Sequence, residues 1–433
     1  MILINFYVII IKIYVDRDDF VAELETITVC KGFQYQIYPN NKQNTRMFQI
    51  ASATRYAYNW ALDFAMTYFE KYGKFISEYD ITKEFTKHKQ NNKWLYEIPN
   101  NTLKQSVKNA AKTVKTVYLN NKKNHTNNIP RFKRKFEYTP TIYLDSCQIQ
   151  FTENAVKLDK ISLSQKPNRI KLNWVRINKK HKIPIGLKSY QNPVVKFINN
   201  HWVISVSVPV LETTEPKIIS RTTPESGLGI DLGVKDLAIC SNSVIFSNIN
   251  KTPKMKKLEE RHKRQQRKFS QKLEINKRNN KVVYSKNMSK QKEVMNRTEQ
   301  RMTNIRTNYI YQSINEIIKR KPSFIAIEDL NILGMMKNKH LSKSVQNQKL
   351  YFFRTVLTYK CLCNDIPLAV ISTWYPSSKT CSCCGNIYKE LKLNERTYHC
   401  KSCNLVIDRD YNASINIRNE GFRLLQERRQ QIA

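Results

Sequence analysis

Acid is what the chain has least of. It carries 35 Asp and Glu against 74 Lys and Arg, a formal net charge of +39 over 433 residues. A surplus of that size repels itself in isolation, so it points to a polyanionic partner, most simply nucleic acid. A long apolar run is also missing. The opening stretch MILINFYVIIIKIYV is apolar, yet a bilayer span needs about 20 such residues. No basic segment precedes it and no small-residue cleavage site follows, which argues against a secretory leader. Residues 1–30 read as an N-terminal extension or an extra strand, with a weak signal anchor as the minority reading. Internal repeats, low-complexity linkers and anything like a Tyr or Ser recombinase site are absent from the sequence. Evenly scattered cysteine, the mark of a disulfide framework, is absent too. Five of the 10 cysteines fall between Cys381 and Cys403, and Cys30, Cys147, Cys240, Cys361 and Cys363 show no pairing pattern. That clustering favours a metal site in a reducing compartment.

Apolar residues are not scarce. They make up 41% of the chain, enough for real cores, and the length suggests about two to four domains. KGFQYQIYPN alternates polar and apolar residues and ends in a Pro-Asn turn, a strand pattern. Helical spacing follows from about Lys42 to Tyr72 (Phe48, Ala51, Ala57, Trp60, Ala61, Phe64), and again from about Asn101 to Leu119. After PRFKRK at 130–135 the chain turns rich in Val, Ile and turn signals. NPVVKFINNHWVISVSVPV reads as a hairpin with Asn199-Asn200 at its tip. From Gly227, GLGIDLGVKDLAIC reads as a buried strand turning into a second strand through Gly233. Residues 251–321 are helical and hold 22 Lys and Arg against 6 Asp and Glu. Met302, Ile305, Tyr309, Ile314 and Ile317 share one helical face there. SFIAIEDL is a short apolar strand ended by two acids, 346–364 is helical, and LAVIST is another buried strand.

Two features carry chemistry. Cys381-x2-Cys384 and Cys400-x2-Cys403 stand 15 residues apart. Each C-x-x-C turn aims two thiolates at one point, and two turns complete a tetrahedral zinc site. Four sulfurs leave no open coordination position, so this zinc would be structural and any cutting must come from elsewhere. Cys383 is a spare thiol of poorer spacing, and His399 reads as a polar neighbour of the knuckle rather than a ligand. The second feature is a set of acids in costly places: Asp231 on an apolar strand, Glu328 at the end of another, and Asp410 where a helix would begin. An acid there needs a partner or a metal. Three of them converging could hold two divalent ions for phosphodiester cleavage, and hard Mg²⁺ prefers oxygen ligands. On spacing alone Asp329 could replace Glu328, and Asp408 could replace Asp410.

GIDLGVKDLA, IAIEDLNILGM and SSKTCSCCGN…YHCKSCN…DRDYNASINI resemble the three RuvC motifs and zinc ribbon of TnpB proteins, which are transposon-encoded RNA-guided DNA nucleases related to type V CRISPR effectors. KGFQYQIYPN, ASATRYAYNWAL and PRFKRK resemble the family's N-terminal half, so the likeness covers roughly residues 31–420. The resemblance implies a multidomain α+β chain. A β-barrel wedge domain (31–41 and 128–222) would hold an inserted helical recognition domain (42–127). An RNase H-like RuvC α/β nuclease core (223–376) would be followed by the zinc ribbon (377–403) and a C-terminal RuvC segment (404–433). It implies Asp231, Glu328 and Asp410 as catalytic ligands of two Mg²⁺, with Mn²⁺ as a substitute, and takes Asp410 over Asp408 as the second acid of D-x-D. It implies Cys381, Cys384, Cys400 and Cys403 around one structural Zn²⁺. The partners implied are a guide RNA derived from the transposon end and target double-stranded DNA cut beside a short flanking motif, with no membrane. Base pairing would read sequence while the protein grips backbone and shape, and the basic stretch 251–321 would line the RNA–DNA channel. A miniature CRISPR effector of the same chemistry and a non-cutting regulator of transposition are the alternatives. The expected location is cytoplasmic and nucleoid-associated in a prokaryote, or nuclear for a eukaryotic or viral relative. Asn404 stands where the family often has Gly, and Ser414 where Ala is usual.

Overall fold

The computed structural model describes residues 28–135, 138–147, 149–158, 173–179, 181–211, 223–279, 286–388, 390–391 and 395–432. The expected N-terminal extension lies outside them, apart from the start of the first strand. The chain divides into two units, Met1–Glu212 and Thr213–Ala433.

The first unit opens with strand β1 (Thr28–Tyr38). Three helices follow, α1 (Asn41–Tyr72), α2 (Glu78–Gln90) and α3 (Asn100–Asn124). Asn40 and Gln43 form a reciprocal capping box at the start of α1, and Gly73, with φ of 64°, closes its end. Such a box satisfies two orphan amides that would otherwise stand unpaired. Strands β2 (Thr141–Tyr143), β3 (Gln150–Phe151), β4 (Ala155–Lys157), β5 (Trp174–Ile177), β6 (Gln191–Ile198) and β7 (His201–Leu211) come next. β1 pairs antiparallel with β7 from Thr28 opposite Leu211 to Ile37 opposite Trp202. The β6–β7 turn is the expected one: Asn199 and Asn200 both sit in the left-handed region, φ 52° and 66°, as a two-residue hairpin turn requires.

Among the described residues, the closed barrel expected from sequence does not form. The strands make one open seven-stranded sheet in the order β2-β6-β7-β1-β5-β4-β3, with β2 and β3 as free edges among the described residues. Closure needs edge strands long enough to pair at a fixed stagger, and these two have only three and two residues. Nor do the helices stand apart as an inserted body, although they interrupt the sheet in chain order. Met47, Ile50, Ala57, Leu103 and Val107 share one buried core with Ile37, Val195 and Ile204. The Trp202 indole N–H donates to Asn44 Oδ1 (2.7 Å) and Gln43 Nε2 donates to the Trp174 carbonyl (2.8 Å), tying α1 to the sheet.

The second unit contains β8 (Leu228–Leu232), β9 (Asp236–Cys240), β10 (Ile245–Ser247), α4 (Pro253–Arg278), α5 (Lys286–Lys319) and β11 (Ile325–Glu328). Then come α6 (Ile332–Lys337), α7 (Ser342–Gln348), α8 (Leu350–Leu362), β12 (Leu368–Ile371), the ribbon strands β13 (Thr397–His399) and β14 (Val406–Asp408), and α9 (Arg409–Ile432). Its main sheet runs β10-β9-β8-β11-β12. β8, β11 and β12 are parallel, while β9 and β10 return antiparallel.

Side chains on a strand alternate between faces, and here the alternation sorts the unit into layers. Leu228, Ile230, Ile325 and Ile327 join Ile310, Ile314, Phe353 and Val356 of α5 and α8 in one core. Ala326, Ala369 and Ile371 pack on the opposite face against Ile417 of α9. The face under α9 is kept bare so that the helix can approach. A Cβ on Gly229 would stand 2.0 Å from the Ser414 carbonyl oxygen, and one on Gly421 would stand 2.3 Å from Ala326 Cβ. Gly229→Ala should therefore push α9 off β8 and cost about 1–3 kcal/mol or more as an overpacking change. Thermal unfolding of the purified chain checks this, and an unchanged melting temperature would contradict the close approach.

Candidate active site and metal centre

Asp231 lies two residues beyond Gly229 on β8, and Glu328 two residues beyond Ala326 on β11. Both therefore point to the α9 face. β8 and β11 pair in parallel with Ile230 opposite Ile327, so the next position on each strand brings Asp231 level with Glu328. Asp410 precedes Ser414 by one helical turn (about 5.4 Å), and Ser414 is the residue against Gly229. All three predicted acids thus lie toward the C-terminal ends of the parallel strands, on the side covered by the start of α9.

Electrostatics report the same gathering. The Asp231 carboxyl is held well above the usual range, first by burial, then by the charges of Asp410 and Glu328, with Arg409 offsetting part of it. Burial pushes Glu328 up to about 7. Like charges brought this close disfavour ionisation unless a cation neutralises them. Oxygen donors are the type a hard divalent ion takes, although among the described residues the four cysteines are the only group of three or more whose ligand atoms all lie within 4.8 Å of one another.

A stability effect with a definite sign follows. Glu328 keeps its proton to about pH 7 when folded, against an ordinary 4.5. The folded state binds more protons across that window, so stability falls as pH rises from 4.5 through 7. Glu328→Gln should raise the melting temperature of the magnesium-free chain at pH 8 and leave it nearly unchanged at pH 4. Equal melting temperatures for both chains at pH 8 would count against the burial of Glu328.

The neighbouring acids that spacing could not separate have other duties. Asp329 forms an ion pair with Arg354. Asp408 Oδ1 accepts from the backbone N–H groups of Asp410 and Tyr411, both at 3.0 Å, as a helix cap does. Arg409, between the two aspartates, is buried and donates to the Glu395 carbonyl (3.4 Å) and Ser378 Oγ (3.3 Å). In DRD, Asp408 caps the helix, the arginine ties the ribbon down, and Asp410 acts on Asp231 more strongly than Asp408 does.

The four cysteines meet as expected. Their sulfurs all lie within 4.8 Å of one another, with Cys381 to Cys403 at 3.6 Å and Cys384 to Cys400 at 3.5 Å. A disulfide would be about 2.05 Å, whereas a zinc tetrahedron with bonds of about 2.3 Å has edges near 3.8 Å. The two knuckles repeat one geometry. Gly385 donates to the Cys381 carbonyl and Asn404 to the Cys400 carbonyl, both at 3.0 Å, and both residues are left-handed, φ 74° and 56°. Asn supports that conformation nearly as well as Gly, which explains its tolerance at 404. The backbone N–H of Cys403 helps draw the Cys400 thiol down to about 6, while burial and hydrogen bonds from its fellow thiols push Cys403 up to about 12, so the four share protons as a group. Cys383 is exposed, and neither it nor His399 belongs to the cluster.

Sequence reasoning missed the parts that lock ribbon to helix. Asn412 accepts from Ser382 N–H (3.0 Å) and donates to the Thr380 carbonyl (2.7 Å), while Asn416 donates to the carbonyls of Ser377 (2.8 Å) and Thr380 (2.6 Å). Both are buried. Their spacing of four residues, about one helical turn, was the available signal. Arg396 was missed as well. Its guanidinium lies 3.5 Å from Asp410, a cation within reach of any phosphate bound at the acids. The basic stretch is an α4–α5 pair whose Met255, Leu258 and Met302 are buried, while Lys256, Lys257, Lys263, Arg264, Arg267 and Lys268 are exposed. His262 stands 4.0 Å from Glu299 on this pair, away from the acids. No helix among the described residues is long and apolar enough to cross a membrane.

Three family models match the chain: a helix-turn-helix domain at 29–74, a probable transposase at 206–339, and a Cas12f1-like, TNB domain at 351–417. The first of these falls here on β1 and the single helix α1. Among curated proteins, "Putative RNA-guided DNA endonuclease InsQ" of Escherichia coli (strain K12) is 26% identical over 416 residues, covering 91% of this chain and 93% of that protein. "Putative RNA-guided DNA endonuclease" of Streptomyces pristinaespiralis is 23% identical over 398 residues, covering 91% and 90%. Among solved structures, the Cas12f1–sgRNA–target DNA complex matches in fold with a TM-score of 0.54 at 14% identity, covering 90% of this chain and 99% of that one. Fold and site define the class as a multidomain α/β chain with transposase-family segments and a four-cysteine ribbon. Within that class, the matches agree with the TnpB resemblance read from the motifs: the chain is similar to transposase-family domains and to proteins named RNA-guided DNA endonucleases along most of its length.

Proposed function

We propose that the chain is a transposon-encoded, RNA-guided DNA endonuclease that cuts with a single RuvC-type site. The observation that carries this reading is that Asp231 and Glu328 on the second unit's sheet and Asp410 at the start of α9 share one side of it, with burial, Asp410 and Glu328 all raising the cost of ionising Asp231. Three antiparallel strands followed by two parallel ones, with a late helix laid over them, support an RNase H-like core. These three carboxylates would hold two Mg²⁺. Such ions supply an activated water and stabilise the leaving oxygen of a phosphodiester. The chain's own work is to keep the acids together, through the bare glycine face under α9, and to hold Arg396 beside Asp410 for a phosphate oxygen. Cys381, Cys384, Cys400 and Cys403 would hold one Zn²⁺, which fixes the ribbon and through Asn412 and Asn416 the start of α9.

The net charge of +39 suits a partner read by base pairing and gripped by its backbone. The guide RNA would come from the transposon end and run along the exposed bases of α4, so complex formation should weaken steeply with salt. The test is to co-express the chain with RNA from its own locus, purify the complex, and present a library of target duplexes with Mg²⁺ or with EDTA. Cutting that needs both RNA and Mg²⁺ is the expected result, and no cutting of any library member would overturn the reading.

A further inference from the structure

Beyond the acids, one residue is built to hold substrate. β12 ends at Ile371, opposite Glu328 on β11, so the residues after it run along the rim of the carboxylate cluster. Trp374 is the third of them and is 91% exposed, the most exposed of the large hydrophobic residues described. An indole so bare on a soluble surface wants a partner, because it leaves most of its large apolar area in water.

It is not bare because the loop is loose. Thr373, on one side, donates its hydroxyl to the carbonyl of Asp329, the residue directly after Glu328. Tyr375, on the other, packs among Phe324, Ile371 and Phe422 under α9. The Trp374 N–H itself donates to Ser372 Oγ (3.2 Å), and the Tyr375 N–H to the Ser372 carbonyl (3.1 Å). A backbone pinned on both sides presents a rigid aromatic face within two residues of a group bonded to the catalytic strand. The charge at the rim, Arg354 and Arg396, suits a nucleic acid strand rather than an apolar protein surface.

We propose that Trp374 is a stacking platform for an unpaired base of the DNA strand entering the carboxylate site, fixing the nucleotide beside the scissile phosphate. The inference rests on the nuclease reading above and deepens it. Stacking on an aromatic face accepts any base, as a guide-programmed enzyme needs. Trp374 touches substrate without taking part in bond breaking.

The test uses the RNA-bound complex and a target duplex selected from the cleavage library. Single-turnover cutting should fall about ten-fold or more for Trp374→Ala, and a good part should return with Trp374→Phe but not with Trp374→Leu. Substrates with one abasic position each, placed around the cut, separate stacking from a structural role. One abasic position should slow the wild type to the rate of Trp374→Ala, and that variant should be indifferent to it. Equal rates for wild type and Trp374→Ala, or a loss by Trp374→Ala that no abasic position reproduces, would overturn the stacking role while leaving the nuclease reading intact. Absence of cutting by the wild type would instead remove the nuclease reading, and the platform with it.

Discussion

Asp231→Ala is expected to cut target DNA at least about a thousand-fold more slowly than the wild type, since an ion at such a site supplies several kcal/mol of charge stabilisation and each 1.36 kcal/mol is a factor of ten. Asp231 is the residue to choose because its environment is the most strained electrostatically: burial, Asp410 and Glu328 all oppose its charge. The same strain predicts that the variant folds at least as well as the wild type. RNA should still co-purify with it, since its exposed lysines and arginines are untouched. A variant that loses cutting together with RNA and solubility would be a folding defect, and one that cuts normally would show the assignment of Asp231 to be wrong.

Cys381→Ser should have the second large effect, and by a different route. A structural zinc contributes on the order of 10 kcal/mol to the local fold it organises. Cys381 is among the buried ligands, and its Sγ lies 3.6 Å from Cys403 Sγ. Removing it should drop zinc content from about one per chain toward none and open the ribbon to proteolysis between Ser377 and Asp408. The damage should reach the active site, because β14 runs straight into α9 and Asn412 and Asn416 grip Ser377, Thr380 and Ser382. Zinc content by elemental analysis and cutting by the purified complex should therefore fall together. Full zinc with full cutting would detach the ribbon from the site.

Much of the second unit was legible in the sequence because its signals are local. Apolar strands ended by acids, paired C-x-x-C turns and an Asn-Asn hairpin tip each dictate geometry within a few residues. The lone-strand alternation of GIDLG even fixes which face Asp231 takes once Gly229 is known to meet α9. The first unit was less legible because closure of a sheet is a long-range property. Edge strands of two and three residues at β3 and β2 carry almost no periodic signal, and nothing local says whether they meet. The helix Glu78–Gln90 gives a weak signal for a similar reason: only Ile81, Phe85 and Lys89 are buried on it. Arg396 could not be found from its neighbours in sequence, since its partner Asp410 is brought to it by the ribbon's fold. Spacing alone does not separate Asp408 from Asp410; the resemblance chooses Asp410, and the backbone hydrogen bonds to Asp408 show that acid capping the helix.

The most direct measurement of the central claim is Mn²⁺ binding, followed by electron paramagnetic resonance on the zinc-loaded chain. Mn²⁺ is a stand-in for Mg²⁺ that shares its preference for oxygen ligands. Wild type should bind Mn²⁺ at a site that Asp231→Asn, Glu328→Gln and Asp410→Asn each weaken, while Asp408→Asn and Asp329→Asn leave it largely in place. Identical binding by the wild type and by the first three variants would mean that the carboxylates meet without holding a cation.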